Sequence, residues 1–493
     1  IAPNGGVWPV HFDVLDSSCT LWYHPHAHDE TFAQVEMGLS GIIIVEDATD
    51  AIRSSLPHRY GVDDFPIIIQ ERNFKPSIDP TYALQIDTLQ HGANGGTRPT
   101  SWIINGVTNP YLEVPPQMVR FRVLDGSSRI AYRLGIGTLP ANLLPFQLIA
   151  SDDGYLRNPI TVDNFLTGPG IRNELVFDFT QYAGQSLYLL NVQGQAGSGI
   201  IGIGPPEQST ANAYMEIRVG LLPNLPVGII PPFPAIDTFA YDNQTPVRNK
   251  NLLGHNAQGG GFVPFSINGN QFDLPFVNDT IMLNATEKWV ISNQTAVAHP
   301  FHIHDIHFFI IAVDSIITGG TVSLPIPPEY QGPKDNVLVK AGHQVTFVTK
   351  FTDFATQISA DSAYMYHCHI LTHEDGYYAL GGPPPTTQQR DHFGMMQQFV
   401  VWNGIVAAPD EAAMVDDMTL YPNPATDMLH LRGEYNKAST VKVMDLQGRT
   451  VLQRDLAPFN GTTTFDVGSF SKGMYIFEWS SAAGNFTRKV VLE

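Results

Sequence analysis

Short runs rich in Val, Ile and Phe recur along this chain, separated by Gly, Pro, Asn and Asp. Such runs are typical of β-strands joined by turns, so the pattern predicts an all-β protein rather than a helical one. No run approaches the roughly eighteen apolar residues of a membrane-spanning helix, so no transmembrane segment is expected. The strands expected near the two chain ends are Val10–Leu15, Thr20–His26, Gly41–Glu46, Ser439–Met444, Met474–Trp479 and Phe486–Leu492, with a turn at Asp445–Gly448.

A sequence repeat in the middle of the chain predicts duplicated β-domains. Trp102–Gly106 ends in Asn-Gly and precedes a strand-like run at Tyr111–Pro115. Ser266–Gly269 also ends in Asn-Gly and precedes a comparable run that leads into Glu287–Ile291. The Pro-rich segment Leu221–Ile236 marks the junction between the two copies.

The length of 493 residues favours roughly three or four domains. The chain begins at Ile1 without an initiator Met or a signal-peptide pattern, and its first fifty residues are too few for a β-sandwich, so N-terminal truncation is expected. The predicted divisions are 1–50 for the end of a truncated first domain, 51–225 for a second domain without metal ligands, 226–404 for a third domain with the metal ligands, 405–419 for a linker and 420–493 for a small C-terminal β-domain.

The balance of charge excludes two classes of partner. The formal net charge of −20 would repel nucleic acid and anionic membrane surfaces.

The chain contains two cysteines, Cys19 and Cys368. A disulfide between them is the ordinary expectation for an exported protein, but the histidines around Cys368 favour a thiolate ligand and leave Cys19 as a small buried apolar residue.

The sequence His367-Cys368-His369 predicts two adjoining metal sites. Residues two apart on a β-strand share a face and the residue between them points the opposite way, so the two histidines are expected in one site and the cysteine in another. A thiolate with imidazoles and a weak axial thioether is the ligand set of a blue-copper electron-transfer centre. His373, with Met395 or the methionine after it, would complete that centre.

Two further His-x-His pairs support the metal hypothesis. They are His24-Pro25-His26 and His302-Ile303-His304, and His299 comes three residues before the second pair. On a strand, each pair would again present two imidazoles to one side. Eight of the 17 histidines thus become candidate ligands.

With His299-Pro300-Phe301-His302-Ile303-His304 followed by His367-Cys368-His369 and His373, residues 1 to about 404 resemble the multicopper oxidases, the family of laccases, ascorbate oxidases and bilirubin oxidases. The resemblance implies repeated cupredoxin (Greek-key β-sandwich) domains. It implies a blue copper bound by Cys368, His299 and His373, with Met395 as axial ligand. It also implies a trinuclear copper cluster, where dioxygen is reduced to water, built from His24, His26, His302, His304, His367 and His369.

The chain departs from the family pattern because the motif His-Trp-His-Gly is absent from its sequence. By that pattern His26, His304 and His367 complete the set for one of the paired coppers. The other paired copper keeps only His24 and His369, and the single copper keeps only His302. The chain as given is therefore expected to hold the blue copper and at most a damaged cluster.

A second departure is an insertion, Gly376–Phe393, that separates His373-Glu374-Asp375 from Gly394-Met395-Met396. Met395 is favoured over Tyr378 as the axial ligand, because a long surface loop costs little closure entropy. The insertion is either a substrate lid or an inert surface loop. In the family the glutamate matching Glu374 is thought to relay protons to the cluster, and the alternative is a solvated loop acid.

Residues 420–493 open with Tyr421-Pro422-Asn423-Pro424 and resemble the sorting tail of the type IX secretion system. That resemblance implies a secreted or cell-surface protein that meets the secretion machinery. An ordinary carbohydrate-binding or structural β-module is the alternative.

The leading hypothesis for function is an oxidase that couples one-electron oxidation of phenols, aromatic amines or low-valent metal ions to four-electron reduction of dioxygen. Its partners are then a small-molecule reductant and dioxygen. A copper nitrite reductase is the enzymatic alternative, because it also joins two coppers through a Cys-His pair. A blue-copper electron carrier or copper-binding protein is the non-enzymatic one.

Overall fold

The computed structural model describes residues 14–27, 30–72, 74–76, 84–86, 101–138, 142–192, 213–222, 230–233, 235–236, 238–254, 264–352, 354–356, 359–375, 394–403, 419–435, 438–445, 449–481 and 484–492. Residues 1–401 form one compact unit and residues 402–493 a second. Strands dominate both units, which confirms the all-β prediction. Among the described helices, none combines the length and apolar character needed to cross a membrane.

The first segment, residues 14–50, contains an antiparallel strand pair and one short helix. Strand β1 (Cys19–Tyr23) pairs with β2 (Gly41–Val45). Helix α1 (Thr31–Glu36) connects them and buries Phe32 and Val35.

The middle domain packs two sheets around one apolar core that includes Phe121, Leu134 and Phe177. Among the described residues, one sheet has the strand order β13-β12-β15-β9-β3-β6-β7. The other has the order β11-β10-β16-β17-β8, and β14 also pairs with β10. Strands β4 and β5 form a separate two-stranded sheet. Its strands are β3 (Asp64–Arg72), β4 (Phe74–Pro76), β5 (Leu84–Ile86), β6 (Ser101–Ile104), β7 (Val107–Thr108), β8 (Tyr111–Val114), β9 (Met118–Asp125), β10 (Tyr132–Thr138), β11 (Asn142–Leu144), β12 (Phe146–Ser151), β13 (Gly154–Val162), β14 (Asn164–Thr167), β15 (Arg172–Asp178), β16 (Ser186–Asn191) and β17 (Ala213–Val219).

The third domain is a second sandwich, whose core includes Trp289, Phe347 and Tyr366. Its described sheets have the orders β19-β18-β21-β26-β23-β24 and β20-β28-β27-β22-β25. Its elements are β18 (Val247–Leu253), β19 (Ser266–Ile267), β20 (Asp279–Met282), β21 (Thr286–Asn293), β22 (His299–Ile303), β23 (Phe308–Ile317), β24 (Gly320–Leu324), β25 (Asn336–Val339), β26 (His343–Lys350), β27 (Tyr364–Cys368), helix α2 (Leu371–Glu374) and β28 (Met396–Trp402).

The tail domain has its own apolar core, which includes Leu431, Phe477 and Trp479. Its described strands form the sheets β29-β30-β33 and β32-β31-β34-β35. They are β29 (Thr419–Tyr421), β30 (Met428–Tyr435), β31 (Ser439–Asp445), β32 (Thr450–Leu456), β33 (Phe459–Asp466), β34 (Gly473–Ser481) and β35 (Gly484–Leu492). The three strands predicted here lie within β31, β34 and β35.

The Asn-Gly repeat marks the same turn in the middle and third domains. Asn105 has φ +49° and Asn268 has φ +54°, and the glycine after each also has positive φ, a conformation in which Asn and Gly are favoured. The side-chain oxygen of Asn105 accepts a hydrogen bond from Ile68 N at 2.8 Å, and that of Asn268 accepts one from Asn251 N at 2.7 Å. In each domain the strand that supplies this N–H also pairs in parallel with a core strand, β3 with β9 and β18 with β21. The predicted duplication is therefore visible in turn chemistry and in strand order.

Buried charges join the first segment to the middle domain. Arg120 and Arg122 on β9 both pair with Glu174 on β15. The Thr20 hydroxyl on β1 donates to Glu174 at 2.6 Å and accepts from Arg122 at 2.9 Å. All four side chains are nearly inaccessible, because the first segment covers this face of the sheet. Burial alone would raise the pKa of Glu174, but the two arginines outweigh burial and lower that pKa.

Two strand predictions near the N-terminus are wrong in part. Val14 and Leu15 are not in a strand, and Val10 to Asp13 lie outside the described residues. Strand β1 ends at Tyr23, so His24 and His26 follow it in irregular backbone rather than on a strand. Pro25 lies between the two histidines, and proline cannot donate to a strand ladder. Three other predicted regions lie outside the described residues: the turn residues after Asp445, the linker up to residue 418 and the insertion Gly376–Phe393.

The buried carboxyl of Glu36 makes stability depend on pH. Glu36 ends helix α1, and one of its oxygens lies 3.8 Å from Arg72 Nη1. Burial and the neighbouring Glu71 raise the pKa of Glu36 from 4.5 to about 7. The folded protein thus keeps a proton that the unfolded chain loses, so this group lowers the free energy of unfolding as the pH rises through that range.

We expect Glu36→Gln to remove this loss, on the order of 3 kcal/mol between pH 4.5 and pH 7. Denaturant unfolding of the wild type and the variant at pH 5 and pH 8 measures the difference. The exposed Glu30, just before the same helix, provides the control variant Glu30→Gln. Equal pH slopes in the wild type and Glu36→Gln would contradict the assignment.

Candidate metal centres

Strand β27 directs neighbouring side chains into two separate groups of candidate ligands. Cys368 comes together with His299 and His373, and these three with Met395 are called the cysteine site. His367, one residue earlier, comes together with His26 and His304 on the opposite side. These three, with His24, His302 and His369, are called the histidine cluster. The alternation of side chains along a strand accounts for the separation.

The cysteine site is compact and buried. Cys368 Sγ lies 3.3 Å from His299 Nδ1 and 3.6 Å from His373 Nδ1, and the two nitrogens lie 3.3 Å apart. His299 is on β22, which pairs with β27, and His373 is on helix α2, which follows β27 in the chain. Phe265 packs against both rings, with ring centroids 4.9 Å from His299 and 4.3 Å from His373.

Backbone bonds place Met395 beside this site. Its N–H donates to His373 O at 2.7 Å, and its carbonyl accepts from Cys368 N at 3.0 Å. Its side chain is fully buried in the same apolar core as Cys368. The axial role of Met395 remains a prediction, and the competing Tyr378 lies outside the described residues.

Three nitrogens converge in the histidine cluster. His367 Nε2 lies 3.3 Å from His26 Nε2 and 3.2 Å from His304 Nε2. The register of β22 with β27 sets His302 opposite His367. Elements far apart in sequence therefore contribute to one group: the segment after β1, strand β22 with the residue that follows it, and β27.

The other three imidazoles surround that triad. The ring centroid of His369 lies 5.4 Å from that of His367, 5.3 Å from that of His24 and 5.6 Å from that of His302. Trp22 stacks on His24 with a centroid distance of 4.3 Å. The structure thus brings together all six histidines predicted for the cluster, while their assignment as copper ligands stays a prediction.

The group bonded to each ring decides which nitrogen is free. His299 Nε2 lies 2.8 Å from Thr295 Oγ1, which leaves Nδ1 facing the cysteine. His302 Nδ1 donates to Asp335 O at 2.9 Å, and His24 Nδ1 donates to Pro25 O at 2.9 Å, which leaves Nε2 free on both rings. A bond to one ring nitrogen fixes the tautomer and so the nitrogen that can bind a metal. The two sites therefore use opposite ring nitrogens.

Burial keeps these imidazoles neutral. It is the main reason that the pKa values of His299, His302, His304 and His369 lie well below the usual range, and neighbouring histidines lower them further. The pKa of His24 falls to about 4, again mainly through burial. Metal binding requires the unprotonated ring, so these five rings need little proton release to accept a cation.

Glu374, the last residue of helix α2, lies beside the histidine cluster. Its carboxylate oxygens lie 3.0 Å from His367 Nδ1 and 3.5 Å from His26 Nε2, and its side chain is almost completely buried. Burial opposes ionisation, but the adjacent His367 and His26 outweigh burial and hold the pKa of this carboxyl well below its usual range. Glu374 is thus a cluster neighbour rather than a solvated loop acid.

The residues fit bound transition-metal ions. For nitrogen and sulfur ligands about 2.0 and 2.3 Å from a tetrahedral ion such as Zn²⁺, the ligand atoms lie about 3.3 to 3.5 Å apart. The N–N distances of 3.2 and 3.3 Å and the S–N distances of 3.3 and 3.6 Å match this spacing. Within the described part of the chain, neither ring nitrogen of the buried His369 has a hydrogen-bond partner. Thiolate with imidazole favours copper or zinc over hard cations.

Sequence reasoning did not find the residues that orient the ligands. Thr295 and Asp335 bond to ligand histidines, and Gly170 packs so closely on His369 that an added Cβ would lie 2.7 Å from the ring. Gly170 has φ +80°, which suits glycine. The short motif Gly168-Pro169-Gly170 signals a turn, but nothing local in the sequence connects that turn to a histidine two hundred residues away.

Comparison with known proteins identifies three matched regions. Residues 1–50 and 241–380 match family profiles described as Multicopper oxidase, and residues 419–493 match the Secretion system C-terminal sorting domain. A protein named Multicopper oxidase mco from Staphylococcus haemolyticus is 29% identical, over 74% of this chain and 68% of its own length. One named Cell division protein FtsP from Xenorhabdus nematophila is 30% identical, over 68% of this chain and 64% of its own.

A solved laccase structure, from Pediococcus acidilactici, is 26% identical with a TM-score of 0.61, covering 80% of this chain and 71% of the laccase. This similarity confirms the cupredoxin-like β-sandwich fold. The profile over residues 419–493 confirms the predicted sorting tail.

The thiolate of Cys368 should be indispensable for the blue centre. We expect Cys368→Ser to abolish the intense visible band and to lower bound copper by about one ion per chain, because only the thiolate gives the blue centre its character. Visible spectra and copper counts after metal loading measure both effects. Cys19→Ser is the matched control, since Cys19 is also buried and free. A blue band that survives in Cys368→Ser would refute the assignment.

Met395 should tune the potential of the same centre. We expect Met395→Leu to keep the blue band and to raise the reduction potential by at least about 59 mV, the equivalent of a tenfold change for one electron, because a donor to the oxidised metal is lost. Redox titration followed by the blue band measures this change. Met396→Leu is the control at the next buried position. A potential that moves equally in both variants would argue against the axial role.

Proposed function

Because this chain belongs to the multicopper oxidase family and ends in a secretion-system sorting domain, we propose that it is an exported oxidase. It takes electrons one at a time from a small-molecule reductant at the cysteine site. It delivers them to the histidine cluster, where dioxygen is reduced to water. The reductant classes that fit are phenols, aromatic amines and low-valent metal ions.

One observation carries the proposal: His367 and Cys368 are consecutive residues that belong to different sites. Cys368 Sγ lies 3.3 Å from His299 Nδ1, while His367 Nε2 lies 3.2 Å from His304 Nε2. An electron accepted at the cysteine site therefore has a short route along the chain to the cluster. Copper held at both sites supplies one-electron redox chemistry with imidazole and thiolate ligands.

The protein residues have separate roles in this proposal. His299, Cys368, His373 and Met395 hold the electron-accepting centre. The six histidines of the cluster hold the centre at which dioxygen reacts. Glu374, buried within 3.5 Å of His26 and His367, is an ionised carboxylate placed to pass on, rather than store, the protons that water formation consumes.

The sorting domain supports export. Its likeness to the Secretion system C-terminal sorting domain covers residues 419–493, which make up a compact unit with a core of their own. We propose that this domain addresses the protein to the secretion machinery and plays no part in catalysis. The protein would then act at the cell surface or in the medium, where copper and dioxygen are available.

The test is dioxygen uptake by the copper-loaded protein, expressed with any upstream coding sequence that supplies a His-Trp-His-Gly motif, and with a diphenol, ferrous ion and cuprous ion supplied separately as reductants. We expect four molecules of a one-electron reductant to be consumed for each dioxygen, without release of hydrogen peroxide. Cys368→Ser should abolish this uptake, whereas Cys19→Ser should leave it intact. Absence of dioxygen uptake with every reductant would refute the proposal.

The same experiment separates two other functions. Reduction of nitrite by the reduced protein, in place of dioxygen uptake, would support a copper nitrite reductase. Bleaching of the blue band without dioxygen uptake, at about one copper per chain, would support a blue-copper electron carrier. One relative carries the name Cell division protein FtsP, which states a role in cell division rather than an oxidase activity, but an electron carrier does not require the converging histidines of the cluster.

A further inference from the structure

Arg172 is a fully buried arginine in the middle domain, which contains none of the predicted metal ligands. Its Nε donates to Thr20 O of the first segment at 2.9 Å. Its Nη1 and Nη2 donate to the two carboxylate oxygens of Asp335 in the third domain, at 2.7 and 2.8 Å. Its Nη1 also donates to Gly170 O in its own domain at 3.1 Å. One guanidinium thus binds all three β-units of the first compact unit.

The two outer partners of Arg172 lead directly to the histidine cluster. Thr20 is on β1, the strand that runs into His24 and His26. Asp335 accepts the hydrogen bond from His302 Nδ1 on its backbone oxygen, and its carboxylate Oδ1 lies 3.8 Å from the same nitrogen. The arginine therefore bonds to the strand that leads into His24 and His26 and to the residue that accepts the hydrogen bond of His302.

We propose that Arg172 is a positioning residue that aligns the two halves of the histidine cluster and keeps His302 with Nε2 directed into the cluster. The inference rests on the proposed function, because it assigns Arg172 a part in assembling that site. Arg172 touches no ligand itself. It acts through Asp335 on one side and through the backbone of β1 on the other.

The chemistry of the site explains why an arginine is needed there. A guanidinium can bind a carboxylate with two parallel bonds while it directs a third donor elsewhere, which an ammonium group cannot do. Asp152 and Asp153 lie 3.6 and 3.4 Å from the guanidinium, and Lys334 lies 2.7 Å from Asp152. Three carboxylates thus face two cations in a buried setting, where each charge requires a partner.

The turn just before Arg172 makes a second contact with the cluster. Asn336 Nδ2 donates to Pro169 O at 2.9 Å, and the Asn336 residue is next to Asp335 on the chain. Gly170 lies against the ring of His369, where a Cβ would be 2.7 Å from Cδ2. The segment 169–172 of the middle domain therefore supports His302 through Arg172 and His369 through Gly170.

The experiment compares Arg172→Lys with Arg59→Lys in the full chain. Arg59 lies in the same domain and also pairs with an aspartate, but within that domain: its Nε and Nη2 donate to Asp63 Oδ2 at 2.9 and 2.6 Å. The first readout is copper bound at the cluster, with the blue band of the cysteine site as internal reference. We expect Arg172→Lys to weaken copper binding at the cluster roughly 10- to 100-fold, as losses of groups that orient metal ligands commonly do, while the blue band is kept. Arg59→Lys should keep both.

The second readout needs no copper. In the metal-free protein with ¹⁵N-labelled histidine, the ring signals of His302 report whether Nδ1 carries the proton. We expect Nδ1–H in the wild type and in Arg59→Lys, and a mixture of tautomers in Arg172→Lys. Even if wild-type protein binds no copper at the cluster, which would refute the proposed function, this readout decides the positioning role separately.

A second variant tests the proposal even if Arg172→Lys fails to fold. Asp335→Asn removes the paired carboxylate but keeps the backbone oxygen that accepts from His302, and we expect it to produce the same selective loss at the cluster. The double variant should be no worse than the weaker-binding single variant, because both changes break one interaction. Equal effects of Arg172→Lys and Arg59→Lys, additive effects in the double variant, or an unchanged His302 tautomer would each overturn the proposal.

Discussion

The placement of both candidate metal sites depends on the alternation of side chains along one strand. In β27, His367 and Cys368 point to opposite faces because successive side chains of a strand do so. Each face is closed by different partners, with His299 and His373 on one side and His26 with His304 on the other. A one-residue shift of this strand would exchange the faces and destroy both sites. The surrounding structure serves in large part to hold that register.

The strand register alone would leave the imidazole rings free to rotate about their side-chain bonds. Hydrogen bonds to buried groups fix the ring orientation. Thr295 binds Nε2 of His299, whereas the carbonyl of Asp335 binds Nδ1 of His302. The same residue type therefore presents Nδ1 to the cysteine and Nε2 to the cluster. Burial also keeps these two rings neutral, so they can bind a metal without first losing a proton.

Local patterns in the sequence predicted the parts of this structure that local forces determine. The alternation in β31 and β34, the two Asn-Gly turns and the opposite faces of His367 and Cys368 follow from residues that are neighbours in the chain. The pair His24 and His26 is different, because it was expected on a strand and lies beyond the end of one. It reaches the cluster through the packing of the first segment on the middle domain, which no local periodicity encodes.

The buried charges of the middle domain show why the contacts between domains could not be predicted from the sequence. Arg120 and Arg122 alternate with apolar residues on β9, a pattern that normally marks a solvent-facing side. They are buried because Thr20 and its strand cover that face. Buried ion pairs are weak evidence for stability, but they enforce geometry, since a misplaced partner leaves a charge without compensation. A domain without predicted metal ligands can therefore still determine how closely the two ligand-bearing segments approach. Arg172 is the residue through which the middle domain acts on His302.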